Sequence, residues 1–199
     1  MDNQQYNGVT AAAGKAKTEV LDWLDTVVIS VLAVVLVFTF VFRMVGISGG
    51  SMQHTLEDGD RVIIMSAFYT PRQGDIVVIS RDYLADENGE SPEPIIKRII
   101  ATEGQTVYID YANDRVLVDG VALEEPYVCT EDGTATSGRI MAQNPYVVEP
   151  GKVFVMGDHR LVSRDSRAAD VGAIDQRYIL GRAVLRVYPF NQIEVLSDD

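Results

Sequence analysis

Ser51 and Lys97 are the residues of this chain best suited to chemistry, and that chemistry is nucleophilic attack on a carbonyl. Ser51 sits in Ile47-Ser48-Gly49-Gly50-Ser51-Met52-Gln53-His54-Thr55-Leu56. A serine hydroxyl is a weak nucleophile and needs a base within hydrogen-bond reach. Lys97 stands in Ile95-Ile96-Lys97-Arg98-Ile99-Ile100. On a strand, period-two alternation puts Ile95, Lys97 and Ile99 on one face and Ile96, Arg98 and Ile100 on the other. A lysine on a core-facing side is desolvated, and burial favours its neutral form. Its ordinary pKa is about 10.4, so service as a base near neutrality needs a fall of about 2–3 units, roughly 3–4 kcal/mol. Each residue also has an ordinary reading. Ser51 is a turn residue among glycines, and Lys97 can snorkel from a sheet edge.

A third stretch, Met156-Gly157-Asp158-His159-Arg160-Leu161-Val162-Ser163-Arg164-Asp165-Ser166-Arg167, packs charge, hydroxyls and glycine into one loop after an apolar run. Asp165 and Arg167 can pair, and Ser163 can hydrogen-bond an amine. The plain account is a solvated turn held by ion pairs, each worth little at a surface. Other catalytic contexts are absent. No Gly-x-Ser-x-Gly elbow surrounds Ser51, no Ser-x-x-Lys lies near it, and no phosphate loop occurs. The two histidines, His54 and His159, form no His-Glu-x-x-His, and Cys129 is alone, so neither a metal site nor a disulfide is expected.

The elements that must position these groups follow from the apolar pattern. Residues 1–20 read as a polar, disordered tail. Thr26 to Phe42 carries no charge, so a membrane-spanning anchor is expected over about 21–46, with Trp23 at its start and Arg43 snorkelling at its end. A cleaved signal peptide is the rival, but its apolar region is shorter and ends in an Ala-x-Ala-like site, whereas Arg-Met-Val-Gly-Ile follows here. Lys15 and Lys17 against Arg43 favour an inside N-terminus by a narrow margin.

Beyond the anchor, Gly59-Asp60 and Gly74-Asp75 each lead into a short β-branched run, 62–65 and 76–79, as turns lead into strands. Further strands are expected at 95–101, 108–110, 115–118, 153–156, 182–188 and 193–196. Arg81 to Pro94 reads as an exposed loop and Asp119-Gly120 as a hairpin turn. The fold class is therefore mainly β, one N-terminal transmembrane helix followed by a β-rich core over 47–199. Apolar residues make up 47% and charged ones 23%, as in ordinary globular chains. The net charge of −12, with 29 acidic residues against 17 basic, argues against nucleic acid as a partner.

Taken in order, the apolar anchor, Ser51-Met52 with Thr55-Leu56, Gly59-Asp60-Arg61-Val62, Gly74-Asp75-Ile76-Val77 through Ile96-Lys97-Arg98-Ile99-Ile100, and Gly157-Asp158 through Ser163 and Asp165-Ser166-Arg167 resemble the type I signal peptidases. These are membrane-bound Ser/Lys proteases, and the likeness runs from about Leu21 to Tyr188. It implies Ser51 as nucleophile, Lys97 as general base, Ser163 orienting the lysine amine, and Asp158–Arg98 and Asp165–Arg167 as structural ion pairs. Met52 is implied at the substrate-binding surface. The family fold implies a small β insertion, here about 106–149. The substrates implied are signal peptides of exported preproteins with small residues before the cut. The implied setting is a single-pass protein of the cytoplasmic membrane, in contact with lipid, its catalytic domain outside and no cofactor required.

The chain departs from the family at His54, where proline is usual, which opens a reading with His54 as base. It departs again at His159, where asparagine is common, and at Gly49, where some relatives carry a hydroxyl that helps bind the oxyanion. An inactive membrane-anchored assembly or binding protein on the same fold is the alternative function. A self-cleaving repressor-like protein is the third, opposed by the anchor and by the lack of a DNA-reading helix.

Overall fold

A computed structural model describes residues 3–67, 69–80, 94–129 and 133–196, with side chains from residue 21 onward except that of residue 40. The expected loop at 81–94 falls, but for Pro94, outside the described residues. The chain divides into two units, Met1–Val41 and Phe42–Asp199.

The first unit is one helix, α1 (Asn3–Phe40). Its stretch Leu21–Thr39 is long and apolar enough to cross a membrane, and none of it is buried by protein. At 1.5 Å per residue those 19 residues span about 29 Å, close to the hydrocarbon thickness of a bilayer. Two expectations are corrected here. The backbone of residues 3–20 is helical rather than disordered, because Val9 to Val20 is rich in alanine and lysine and holds no proline. The helical span also ends at Phe40 instead of reaching Gly46. Phe42–Gly46 is strand β1, paired antiparallel with β2 (Arg61–Met65) from Phe42↔Met65 to Gly46↔Arg61. A short apolar run does not itself distinguish lipid-facing helix from strand.

The second unit is built on two antiparallel sheets. The main sheet also contains β3 (Ile76–Ile79), β4 (Ile95–Thr102), β9 (Lys152–Met156), β10 (Ile174–Asp175), β11 (Ile179–Tyr188) and β12 (Glu194–Val195). Among the described residues its order is β1-β2-β11-β3-β4-β9-β10, with β12 added on β11. The smaller sheet lies between Thr106 and Val147 in sequence. It is ordered β7-β6-β5-β8, from β5 (Thr106–Asp110), β6 (Arg115–Val118), β7 (Val121–Ala122) and β8 (Tyr146–Val147). Asp119 and Gly120 close the β6–β7 hairpin with φ of 51° and 82°. Two positive φ values in succession are what a two-residue turn needs to match strand twist.

Alternation along the strands sorts the interior into three apolar clusters. Ile76, Val78 and Ile96 join Met52, Leu56, Val62 and Ile64 in one. Val77, Ile79 and Ile99 join Val153, Val155 and Ile174 in another. The third seats the smaller sheet, through Val107, Ile109, Val116 and Val118, on Ile100, Phe154 and Met156. Burial of this kind is worth about 25 cal/mol per Å² of apolar surface, and it makes the strands on which the site stands rigid.

Candidate active site

The turn bearing Ser51 is fixed from both ends. Ile47 N–H donates to Asp60 O at 2.8 Å, Gly59 N–H returns to Ile47 O at 3.0 Å, and Gly49 N–H donates to Asp58 Oδ1 at 2.8 Å. Met52 and Leu56 are fully buried in the first apolar cluster and hold the turn from beneath. The Met52 side chain, implied by the family likeness at the substrate-binding surface, is thus buried in this structure.

Lys97 lies in the middle of β4, opposite Val77 of β3, and is 3% exposed. Its Nζ donates to Ile96 O at 2.8 Å and stands 2.7 Å from Ser51 Oγ. A residue 46 positions away in sequence thus meets the hydroxyl at hydrogen-bond distance, inside the sheet. His54 is exposed, its Nε2 3.3 Å from Cys129 Sγ. In this structure the amine donates to Ile96 O, and Ser163 Oγ is buried beside the Asp165 carboxylate, which it helps keep ionised.

The loop after β9 is a stack of buried charges. Asp158 receives Arg98 Nε and Nη2 at 2.9 and 2.8 Å, with both side chains buried. Asp165 receives Arg167 Nε and Nη2 at 2.8 and 2.9 Å and Gly157 N–H at 3.1 Å. Burial alone would raise the Asp165 carboxyl, but the bidentate guanidinium of Arg167 outweighs it and holds the group below the usual carboxylate range. Both ion pairs implied by the family likeness are therefore formed. They are not the surface turn that the plain account of this loop required.

Several participants gave no signal in the sequence. Arg160, fully buried, donates to Glu125 at 2.5 Å and to the carbonyls of Ala135 and Gly157. Burial alone would weaken the charge of Arg160, but Glu125 more than restores it. Tyr127 lies under Arg98, with Cζ 3.8 Å from the ring centroid, and Thr55 Oγ1 donates to Asp158 Oδ2 at 2.5 Å. Cys129 N–H donates to Asp158 O at 3.1 Å. The segment 125–129 is thus a strap beneath the loop. Apart from Gly157, each partner is distant in sequence, so only folding brings them together. Replacing Glu125 by glutamine is expected to cost about 2 kcal/mol, read as a lower denaturation midpoint in detergent. The cost stays below that of a fully orphaned charge, because Arg160 keeps its carbonyl acceptors and the amide oxygen remains.

Gly157 explains why two loops can meet here. A Cβ at this position would collide with Ser163 Oγ and with the backbone carbonyl oxygen of Ser51. Gly157→Ala must therefore push the nucleophile turn off its seat. Misplacement near 1 Å costs about 100-fold in rate, so we expect a loss of that order in turnover with the fold retained, measured by steady-state cleavage beside circular dichroism.

The arrangement, a hydroxyl held 2.7 Å from a buried amine beside glycine-rich backbone, suits acyl transfer. Among the described residues no cluster of histidine, cysteine or carboxylate could hold a metal ion. Comparison with known proteins agrees with the geometry. Residues 20–188 match the family model described as signal peptidase, peptidase S26. The chain is 34% identical to a signal peptidase I of Bacillus amyloliquefaciens over 89% of this chain and 92% of the relative. It is 31% identical to a signal peptidase IB of Staphylococcus aureus over 89% and 94% of the two chains. A solved signal peptidase I from Enterococcus faecalis is 24% identical, with a TM-score of 0.45, over 59% of this chain and all of that one. With the family model spanning residues 20–188 and curated relatives above 30% identity along most of their length, this chain belongs to the signal peptidase family, peptidase S26.

Proposed function

We propose that this protein is a membrane-anchored serine endopeptidase that removes signal peptides from exported preproteins, with Ser51 as nucleophile and Lys97 as general base. The observation that carries the reading is the 2.7 Å contact between Ser51 Oγ and the buried Nζ of Lys97. The lone pair of the uncharged amine takes the Ser51 proton as Oγ attacks the scissile carbonyl. The ammonium then gives that proton to the leaving amine, and a serine ester remains. Water, deprotonated by the same amine, attacks the ester and frees Ser51. The backbone N–H of Ser51 is the natural donor to the oxyanion. Asp158–Arg98 and Asp165–Arg167 hold the loop against which the turn rests. Met52 acts through its buried packing.

Substrate would lie along β1, an edge strand of the main sheet among the described residues, where an extended peptide can add as a further strand. A cavity of about 580 Å³ lined by Met44, Val45, Gly46, Ile47, Ser48 and Pro94 adjoins that edge, directly before the nucleophile turn. Small residues before the cut let a substrate backbone approach this wall closely. Helix α1 crosses the cytoplasmic membrane once with its N-terminus inside, so that the domain from residue 47 works at the outer lipid surface. The smaller sheet, within about 106–149, is the insertion on the catalytic core.

The test is cleavage of a secretory preprotein by the full chain in detergent, beside Ser51→Ala. Wild type is expected to release the mature fragment at one site and Ser51→Ala to release none. Equal cleavage by both would remove Ser51 as nucleophile.

A further inference from the structure

Two side chains at the site have no part in the chemistry above, Gln53 and His159. Gln53 Nε2 donates to Glu57 Oε2 at 3.0 Å, which turns its amide oxygen the other way. That oxygen lies 3.2 Å from His159 Nδ1. A carboxylate can only accept, so the amide nitrogen faces Glu57, the amide oxygen faces the ring, and Nδ1 carries the proton between them. Nε2 is buried and meets no partner among the described residues.

The same two residues hold the backbone of the nucleophile turn. His159 N–H donates to Ser51 O at 3.1 Å, and His159 O accepts from Ser163 N–H at 3.1 Å. Gln53 N–H donates to Gly50 O at 3.3 Å, and a Cβ on Gly50 would lie 3.1 Å from Gln53 Oε1. The Gly50–Ser51 peptide, which supplies the oxyanion donor proposed above, is therefore held through its carbonyl by Gln53, while the next peptide, Ser51–Met52, is held through its carbonyl by the His159 backbone, and the ring–amide bond ties the two holders together. His159 is 6% exposed.

We propose that Gln53 and His159 are a positioning pair, oriented by Glu57, whose side-chain hydrogen bond fixes the Gly50–Ser51 peptide for attack. The inference rests on the assignment of Ser51 as nucleophile. Because the pair touches the turn and not the cavity along β1, its loss should appear in kcat and spare KM. Because the two side chains act through one bond, their losses should not multiply.

The experiment is steady-state cleavage of a secretory preprotein by the full chain in detergent. It compares wild type with Gln53→Ala, His159→Ala, the double variant and His159→Asn. Each alanine variant is expected to lower kcat about 10-fold with KM within twofold, and the double variant to match the worse single. Asparagine carries an N–H where histidine carries Nδ1–H, so His159→Asn should return kcat to within about twofold of wild type. Gln53 is half-buried on a turn, so Gln53→Ala keeps the test usable if His159→Ala fails to fold. An unchanged kcat in Gln53→Ala, a change confined to KM, multiplied losses in the double variant, or His159→Asn as poor as His159→Ala would each overturn the pair. A wild type that cleaves alongside unaffected variants removes this inference alone. A Ser51→Ala protein that still cleaves removes the nucleophile assignment, and this inference with it.

Discussion

Lys97→Met is expected to lower preprotein turnover by about four orders of magnitude while leaving the denaturation midpoint unchanged or raised. Removing a base that acts as a unit with its nucleophile costs at least that much, because the hydroxyl left behind is barely nucleophilic. The stability arm has the opposite sign. Lys97 is 3% exposed between strands, and a charged amine there is opposed by desolvation. Methionine fills a similar volume with no charge to desolvate. Lys97→Arg should be equally inactive, since a guanidinium stays protonated and offers no lone pair. Single-turnover cleavage beside a thermal melt in detergent checks both arms. Substantial turnover by Lys97→Met would exclude the amine as base and reopen the reading in which His54, now facing Cys129, serves instead.

The second large effect is on stability. Asp165→Asn sets an amide N–H2 against donors from Arg167, 1% exposed, and from Gly157. Arg167 keeps the carbonyls of Ser137 and Arg160, so the expected cost is about 3 kcal/mol in a denaturant titration at pH 7. Its acid dependence is equally specific. The folded structure holds Asp165 below the usual carboxylate range, against its burial, through Arg167. A carboxyl depressed in this way contributes stability that is present above its unfolded value, about 3.9, and lost as pH falls through its folded value. Wild type should therefore lose stability as the medium is acidified below about pH 4. Asp165→Asn should lose less over that window, having no carboxylate there to protonate. Parallel acid limbs in the two proteins would show that Asp165 is not held low.

Much of this was legible in the chain itself. The uncharged block to Phe42, the β-branched runs after Gly59-Asp60 and Gly74-Asp75, and the Asp119-Gly120 turn each carry a local signal: period, propensity or positive φ. Alternation about Lys97 put Arg98 on the opposite face, where it reaches Asp158, but left a buried lysine and one snorkelling from a sheet edge both open; the structure buries it. Local signals failed where two solutions share one composition. Phe42–Gly46 reads as apolar anchor, yet it is a strand, because β2 offers it a partner that sequence period does not reveal. No local signal foretold the burial of Met52, which packs in the first apolar cluster.

By itself, then, the sequence determined one apolar anchor, a domain of short strands, and a serine and a lysine of the right type in the right order. Tertiary structure alone decided that strand pairing would bring Ser51 and Lys97 to 2.7 Å. It likewise chose Glu125 as the partner of Arg160 and set Gln53 against His159. The physical reason is separation along the chain. Contacts between residues dozens of positions apart depend on sheet register and on which charges are buried together, and neither is encoded within any single stretch.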